Sequence, residues 1–168
     1  MKLEKLSATA ELVSSVAIVV TLAYLAIQTQ QNTSAIQATV RQAMLVDDLE
    51  ILRLQIEYPV AFTGRSGDPD LTDEQLIQLN SYMIATVRVQ ENRWLQYQNG
   101  VIDEQTWVTY LSAFRGVFST EFTRSWFRNR SDLDQFDEGF VDLANELLAD
   151  SPIRPDLSLR QRLGFDPQ

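Results

Sequence analysis

The sequence contains no cysteine and no histidine, and its only lysines are Lys2 and Lys5. The chain therefore lacks the commonest ligands for zinc and copper, the thiol nucleophile, and the usual general base near neutral pH. Carboxylates, hydroxyls, tyrosines and the two lysines remain, and among them we can name no pair of nucleophile and base. We expect that the protein is not an enzyme and that it binds no cofactor.

Charge is missing from one long segment, because no charged residue lies between Leu12 and Val40. The first 16 of these positions read LVSSVAIVVTLAYLAI, and nine of them are Leu, Ile or Val, which favour membrane insertion. A helix from about Ala8 to Gln28 spans roughly 30 Å, the thickness of a bilayer's hydrocarbon core. The sequence predicts a single transmembrane anchor over residues 1–28.

Two other kinds of segment resemble such an anchor. A cleaved signal peptide has a short apolar core that ends in small residues, but Glu4 and Glu11 lie where it would carry basic residues. A buried core helix of a soluble protein also reaches this length. We favour the anchor. Because Lys2 and Lys5 precede the apolar run and the next basic residue is Arg41, we expect the N-terminus on the cytoplasmic side.

Basic residues are scarce in the remainder of the chain. Twelve arginines face 21 aspartates and glutamates there, for a formal charge of -9. Such a surface repels phosphate backbones, and no basic cluster is larger than Arg124, Arg128 and Arg130. Nucleic acid is therefore not an expected partner, whereas the lipid bilayer and protein chains are.

No proline or glycine occurs between Met1 and Tyr58, which predicts one long helix that ends at Tyr58-Pro59. Its second half carries two apolar stripes at helical spacing. The first stripe comprises Ile36, Val40, Met44, Ile51 and Leu54, and the second comprises Leu45, Leu49, Leu52 and Ile56. Two stripes indicate either a helix buried in its own domain or a helix that also packs between neighbouring subunits.

Capping patterns predict three further helices. They run from the capping box Thr72–Gln75 to Asn99 before Gly100, from Asp103 to a break at Gly116–Ser119, and from Leu133 to Ala149. Three prolines after Asp150 predict an extended tail over residues 151–168. With no alternation typical of strands, the predicted fold is all-α: one transmembrane helix continuing into an antiparallel helical bundle over residues 29–150.

Three groups of polar residues are candidates for a functional site. The acidic loop Asp68–Glu74 offers oxygen ligands for Ca²⁺ but lacks EF-hand spacing, so we expect no metal there. A possible polar cluster comprises Glu91, Asn92, Arg93, Trp94 and Tyr97. Glu91 there is either a general base with Arg124 or Arg128 as its cation, or part of a satisfied network that fixes helix register, and we favour the network.

The third group lies inside the predicted anchor. Ser14, Ser15, Ala17 and Thr21 are small or carry hydroxyl groups. In lipid, such residues line a polar pore, bond back to their own helix carbonyls, or allow two helices to approach closely. We expect them to form helix–helix contacts in the membrane.

Two blocks of this sequence resemble a known group of proteins. The apolar run is followed by Gln28, Gln31, Asn32 and Thr33, and the middle of the chain carries Glu91, Asn92, Gln96, Tyr97, Gly100, Val101, Ile102, Asp103, Glu104 and Trp107. This pattern resembles a widespread family of uncharacterised bacterial membrane-anchored helical proteins. The resemblance covers about two-thirds of the chain and implies no activity. Members often carry arginine just after the anchor, where this chain has Gln and Ser.

Together these features predict a single-pass protein of a bacterial inner membrane with a periplasmic helical domain. We expect it to act as a protein-interaction or scaffold subunit, self-associating or part of a larger membrane complex. One alternative is a homo-oligomeric membrane pore. Another is a small-ligand sensor with its pocket at Glu91, Arg93, Trp94 and Tyr97.

Overall fold

The computed structural model describes residues 2–67 and 70–154, and it describes side chains from residue 11 onward with the exception of residue 12. Within these residues all regular structure is helical, and no strand occurs. The helices are α1 (Lys2–Glu57), α2 (Val60–Thr63), α3 (Asp73–Gln98), α4 (Glu104–Val117), α5 (Glu121–Ser131) and α6 (Glu138–Ala149). The predicted all-α class is confirmed.

The chain divides into two compact units, Met1–Gln42 and Ala43–Gln168. In the first unit, the large apolar side chains between Val13 and Ile27 are 50–64% exposed on every face of the helix. A helix that is apolar all round is typical of a membrane span or of the core of a large protein. The segment Val13–Glu57 contains a window of mean hydropathy 1.5, so α1 is a candidate membrane span.

In the second unit, α1 ends where the Tyr58-Pro59 pair predicts. The next residues form α2, which is followed by a single 3₁₀ turn, Gly64–Ser66. This turn packs closely, because a Cβ atom on Gly64 would lie 3.0 Å from Leu79 Cδ2. A larger residue at Gly64 would require the side chains of Leu79, Val60 and Leu71 to shift.

The predicted start of α3 is confirmed in detail. Thr72 Oγ1 accepts a hydrogen bond from the Gln75 amide at 3.3 Å, and Gln75 Oε1 accepts one from the Thr72 amide at 2.9 Å. This reciprocal pair satisfies two amide groups that the first turn of a helix leaves free. At the other end Gly100 adopts φ +68°, a left-handed conformation that glycine adopts without strain.

The helix after Asp103 is confirmed, since the Asp103 carboxylate accepts a hydrogen bond from the Thr106 amide at 2.8 Å. The predicted start of the last helix at Leu133 is wrong. Helix α6 begins at Glu138, because Asp137 Oδ1 accepts hydrogen bonds from Gly139 and Phe140 and thereby caps the helix there. The sequence analysis assigned no helix to the residues of α5.

Aromatic side chains form the core of the second unit. Phe114, Phe118, Phe127 and Phe140 are fully buried, and they come from α4, α5, α6 and the link between α4 and α5. Ring centres of Phe114 lie 4.6 Å from Phe118, 5.8 Å from Phe127 and 5.9 Å from Phe140. Each pair is tilted or edge-on, the arrangement that the aromatic quadrupole favours.

The two stripes of α1 have different surroundings in the second unit. Met44 of the first stripe is buried, and Ile51 and Leu54 are half-buried. The second stripe, which we call the leucine face, comprises Leu45, Leu49, Leu52 and Ile56 and is 52–81% exposed. Within the second unit, the described part of the chain covers the first stripe fully at Met44 and partly at Ile51 and Leu54, and it leaves the leucine face exposed.

Only the start of the predicted extended tail lies in the described region. There Arg124 Nη2 donates to the Ser151 carbonyl at 2.8 Å, and the Arg154 amide donates to the Ser119 carbonyl at 2.9 Å. The prediction for residues 155–168 falls outside the described residues. The predicted boundary between residues 28 and 29 marks the end of the membrane segment and stays a prediction.

Replacing Phe127 with alanine tests the aromatic core. The change leaves a cavity beside Phe114 and Phe118, and we expect it to lower the free energy of unfolding by about 3–5 kcal/mol. Chemical denaturation of the full-length chain in detergent, followed by tryptophan fluorescence, measures the difference. The control Val108→Ala lies on an exposed part of α4 and should change stability by less than about 0.5 kcal/mol. Equal effects of the two changes would contradict this core.

Candidate functional site

The predicted polar cluster lies on the last third of α3, but its side chains face different neighbours. Successive residues of an α-helix are rotated by about 100°, so five positions in seven residues cover the whole circumference. Asn92 is exposed, Glu91 and Arg93 are buried, and Trp94 and Tyr97 are half-buried. The cluster is therefore a set of contacts to three other helices.

Arg93 joins α3 to α1 and α4. Its Nη2 donates to Asp48 Oδ1 at 2.6 Å, and its guanidinium carbon lies 3.8 Å from the centre of the Tyr110 ring. The Arg93 side chain is 4% exposed and the Asp48 side chain 41%. A buried guanidinium is tolerated because the carboxylate balances its charge and the aromatic face attracts it.

Glu91 connects α3 to the start of α6. One carboxylate oxygen accepts a hydrogen bond from the Asp137 amide, and the other accepts one from Arg88 Nη1 at 2.7 Å. Since Asp137 caps α6, Glu91 holds the residue from which that helix begins. The alternative in which Arg124 or Arg128 is the cation beside Glu91 does not hold, since Glu91 pairs with Arg88.

Those two arginines have other partners. Arg124 donates to the carbonyl groups of Phe118 and Ser151, and Arg128 pairs with Glu121 at 2.9 Å. The cation beside Glu91 is Arg88, which lies three residues earlier on the same helix. Side chains at this spacing are neighbours. The polar contacts of Glu91 therefore come from its own helix and from the start of α6.

The two aromatic members of the cluster pack against other rings. The Trp94 ring lies 6.3 Å from the Phe140 ring, and a Cβ atom on Gly139 would lie 3.0 Å from Trp94 Cη2. The Tyr97 ring stacks on Trp107 with centres 5.6 Å apart and planes 13° apart. The first turn of α6 therefore lies close to the indole at Gly139, and a side chain there would require the Trp94 ring to shift.

A second polar network contains residues that the sequence analysis missed. Asn80 Oδ1 accepts hydrogen bonds from Trp126 Nε1 at 3.0 Å and from Arg130 Nη2 at 2.7 Å, and so ties α3 to α5. Asp48 and Tyr110 were also missed as partners of Arg93. The hydrogen-bonded partners Arg93 and Asp48, Trp126 and Asn80, and Arg130 and Asn80 lie 45 to 50 residues apart, so no local spacing in the sequence indicates them.

Both charged members of the cluster are engaged within the protein, which limits their chemistry. Glu91 and Arg93 bind groups of the chain itself, and their contacts hold α1, α3, α4 and α6 together. Among the described side chains, Gln90 Oε1 and Arg93 Nε are buried without a hydrogen-bond partner. Such atoms cost free energy, so the network contributes positional specificity at some expense of stability.

The acidic loop considered for Ca²⁺ lies partly outside the described residues, since Asp68 and Pro69 belong to that gap. Asp73 and Glu74 occupy the first turn of α3, where acidic side chains interact favourably with the helix dipole. In the ranges that the structure describes, no group of three or more Asp, Glu, His or Cys side chains is arranged to hold a metal ion.

In the first unit, two hydroxyl groups of the predicted membrane contacts bond to their own helix. Ser15 Oγ donates to the Glu11 carbonyl and Thr21 Oγ1 donates to the Ala17 carbonyl, each at 2.8 Å. A hydroxyl that is satisfied in this way is tolerated in hydrocarbon. Ser14 and Ala17 are exposed on the same helix. The side chains of Ser14 and Ala17 are small and uncharged.

The leucine face is an exposed apolar row on α1 in the second unit. Charged residues adjoin it, and Arg53 pairs there with Glu50 at 2.6 Å and with Glu57. The hydrogen bond from Arg53 holds the pKa of Glu50 below its usual value.

A separate open groove of about 610 Å³ lies nearby, lined by Leu54, Tyr58, Ala61, Glu74, Ile77, Gln78, Ser81 and Tyr82.

Replacing Asp48 with asparagine tests the link between α1 and α3. The change leaves the buried guanidinium of Arg93 without an anionic partner, and we expect a loss of about 1–3 kcal/mol in the free energy of unfolding. The double variant Asp48→Asn/Arg93→Met should lose less than the sum of the single changes, because the uncompensated charge is gone. Additive losses in chemical denaturation would argue against a direct pair.

The pKa of Tyr110 gives this region a measurable pH dependence. Burial raises the pKa of the Tyr110 hydroxyl, and the Asp48 carboxylate raises it further. A group whose pKa is higher in the folded chain than in the unfolded chain stabilises the fold while it is protonated. The unfolded pKa of tyrosine is about 10, so this contribution is present below pH 10 and is lost as pH rises through the unfolded and then the folded pKa. We expect stability to fall above about pH 10 more steeply in the native chain than in Tyr110→Phe. Parallel stability curves between pH 8 and 11 would refute the assignment.

The geometry of these contacts identifies no known reaction or ligand. The resemblance in sequence to membrane-anchored helical proteins therefore stays a prediction. Comparison of the chain with protein-family models, with curated proteins and with solved structures finds no match.

Proposed function

We propose that this chain is a single-pass bacterial inner-membrane protein whose helical domain acts as a scaffold subunit. Its partners are copies of itself or members of a larger membrane complex. The observation that carries the proposal is the leucine face, a row of four large apolar side chains that are 52–81% exposed. A contiguous apolar row bordered by charged residues is typical of a surface that binds another protein.

Lipid is a poor match for the leucine face. Asp47, Asp48, Glu50, Arg53 and Glu57 all lie within the same four turns of α1. Burial of charged side chains in hydrocarbon costs roughly 2.5–3.5 kcal/mol each near the centre of a bilayer. A protein partner covers one face of the helix and leaves these charges in water. The leucine face therefore belongs outside the membrane, against another chain.

The first unit supports the membrane location. Its apolar side chains surround the whole helix between Val13 and Ile27, and the two satisfied hydroxyl groups of Ser15 and Thr21 add little cost in lipid. The charge distribution of Lys2, Lys5 and Arg41 favours a cytoplasmic N-terminus and a periplasmic helical domain. In this arrangement the domain is an antiparallel bundle built around the aromatic core.

The pore and sensor hypotheses have less support. The hydroxyl groups of Ser15 and Thr21 bond to carbonyl groups of their own helix, so they do not need a water-filled channel. In the region suggested for a ligand, Glu91 and Arg93 already bind Asp137, Arg88 and Asp48. A non-enzymatic scaffold role requires nothing from these groups beyond holding the helices in place.

Charge substitution on the leucine face tests the scaffold role. Native mass spectrometry of the chain gently extracted from its own membranes should show masses above that of one 19.2-kDa chain. We expect Leu49→Arg to reduce these assemblies about tenfold or more, since burial of a leucine side chain contributes about 1.5–3 kcal/mol.

The matched control is Val108→Arg, which places the same charge on an exposed site of α4. Both variants should keep the helical circular-dichroism spectrum of the native chain. Assemblies that survive Leu49→Arg unchanged, or that are lost equally with Val108→Arg, would contradict a specific role for the leucine face. A single 19.2-kDa species from native membranes would contradict the scaffold proposal as a whole.

A further inference from the structure

We infer that the partner of the leucine face is a second copy of this chain, packed parallel and in register as a left-handed coiled coil over Leu45–Ile56. The inference rests on the proposed function and deepens it by naming the partner. It is drawn from three observations: the spacing of the apolar residues, the charges on either side of them, and the absence of charged residues at the corresponding positions nearer the N-terminus.

The spacing is that of a coiled-coil seam. Leu45, Leu49, Leu52 and Ile56 are separated by four, three and four residues. A repeat that averages 3.5 residues keeps one row of side chains against a partner helix with the same repeat, provided that the two helices wind left-handedly around each other. Because a second copy presents an identical row at an identical level, each leucine meets the corresponding leucine of the partner.

The charges beside the seam complement one another in a parallel pair. Asp48 and Arg53 lie on opposite flanks of the row, five residues apart, at the positions that contact across a parallel coiled coil. Asp48 is 41% exposed and Arg53 is 56% exposed. Each of these side chains is also engaged within its own chain, Asp48 with Arg93 and Arg53 with Glu50 and Glu57. In register, Asp48 of one copy lies near Arg53 of the partner, so opposite rather than like charges meet at both edges of the leucine row.

The anchor favours the same orientation for every copy. Chains with the same distribution of basic residues around the membrane segment insert in the same direction, so their α1 helices run parallel. Counted backward from Leu45 in steps of three and four, the spacing meets no charged residue as far as Ser14. It passes through Thr21 and Ala17, small residues of the kind that allow close helix approach in lipid.

Cysteine cross-linking tests the seam directly, because the native chain has no cysteine that would add background. Leu49→Cys and Leu52→Cys are introduced singly into the full-length chain in its own membranes and oxidised with copper phenanthroline. A parallel pair in register brings each cysteine beside its counterpart, within the distance that a disulfide requires. We expect most of each variant to run at twice the 19.2-kDa chain mass on a non-reducing gel.

The matched control is Glu50→Cys, which is exposed and adjacent in sequence but points about 100° away from the seam. We expect at least about tenfold less cross-linked product from it, a difference equivalent to about 1.4 kcal/mol. Val108→Cys on α4 measures random collision between chains. The seam variants must exceed both controls. Equal cross-linking of Leu49→Cys, Glu50→Cys and Val108→Cys would overturn the inference.

A second comparison separates this inference from the scaffold proposal. If neither seam variant cross-links but Leu49→Arg still releases foreign chains in mass spectrometry, the leucine face binds another protein and the self-pairing is wrong. If the seam variants do not cross-link and Leu49→Arg releases nothing, both proposals fail. Cross-linking of the seam variants together with loss of dimer in Leu49→Arg supports both.

Discussion

The apolar surface of α1 exceeds what the described part of the chain covers, and the other features follow from this constraint. Between Val13 and Ile27 the apolar side chains surround the helix, as in a candidate membrane span. Between Leu45 and Ile56 they form a narrow exposed row among charged residues, which fits the proposed contact with another chain. One helix thus presents two kinds of exposed apolar surface.

Polar contacts in the second unit set the positions of the helices around its aromatic core. Arg93 links α3 to Asp48 on α1 and to Tyr110 on α4, and Glu91 holds the capping residue of α6. Apolar phenylalanine side chains can pack with the helices in more than one relative position. An ion pair between two helices forms in only one of these positions. The contact between Arg93 and Asp48 lies on the side of α1 that also carries buried Met44, and the leucine face lies on a different side and is exposed.

The sequence predicted the ends of helices correctly where the residues that set them lie within a few positions of one another. The capping box at Thr72, the cap at Asp103, the proline after Tyr58 and the glycine at position 100 each act within a few residues, and each was recognised from spacing. The start of α6 was misplaced because Leu133 continues an apolar pattern, while the actual cap is Asp137. There the pattern indicated a helix several residues before the backbone adopts one.

The sequence by itself determined the all-helical class, the long first helix, and its apolar, uncharged N-terminal half, because these follow from composition and from spacing within one element. It also showed that α1 has two apolar stripes. Only the tertiary structure decided which stripe is covered, since Met44 is buried while Leu45 is 57% exposed. That choice depends on contacts such as Asp48 with Arg93, whose members lie 45 residues apart and meet only when the chain folds.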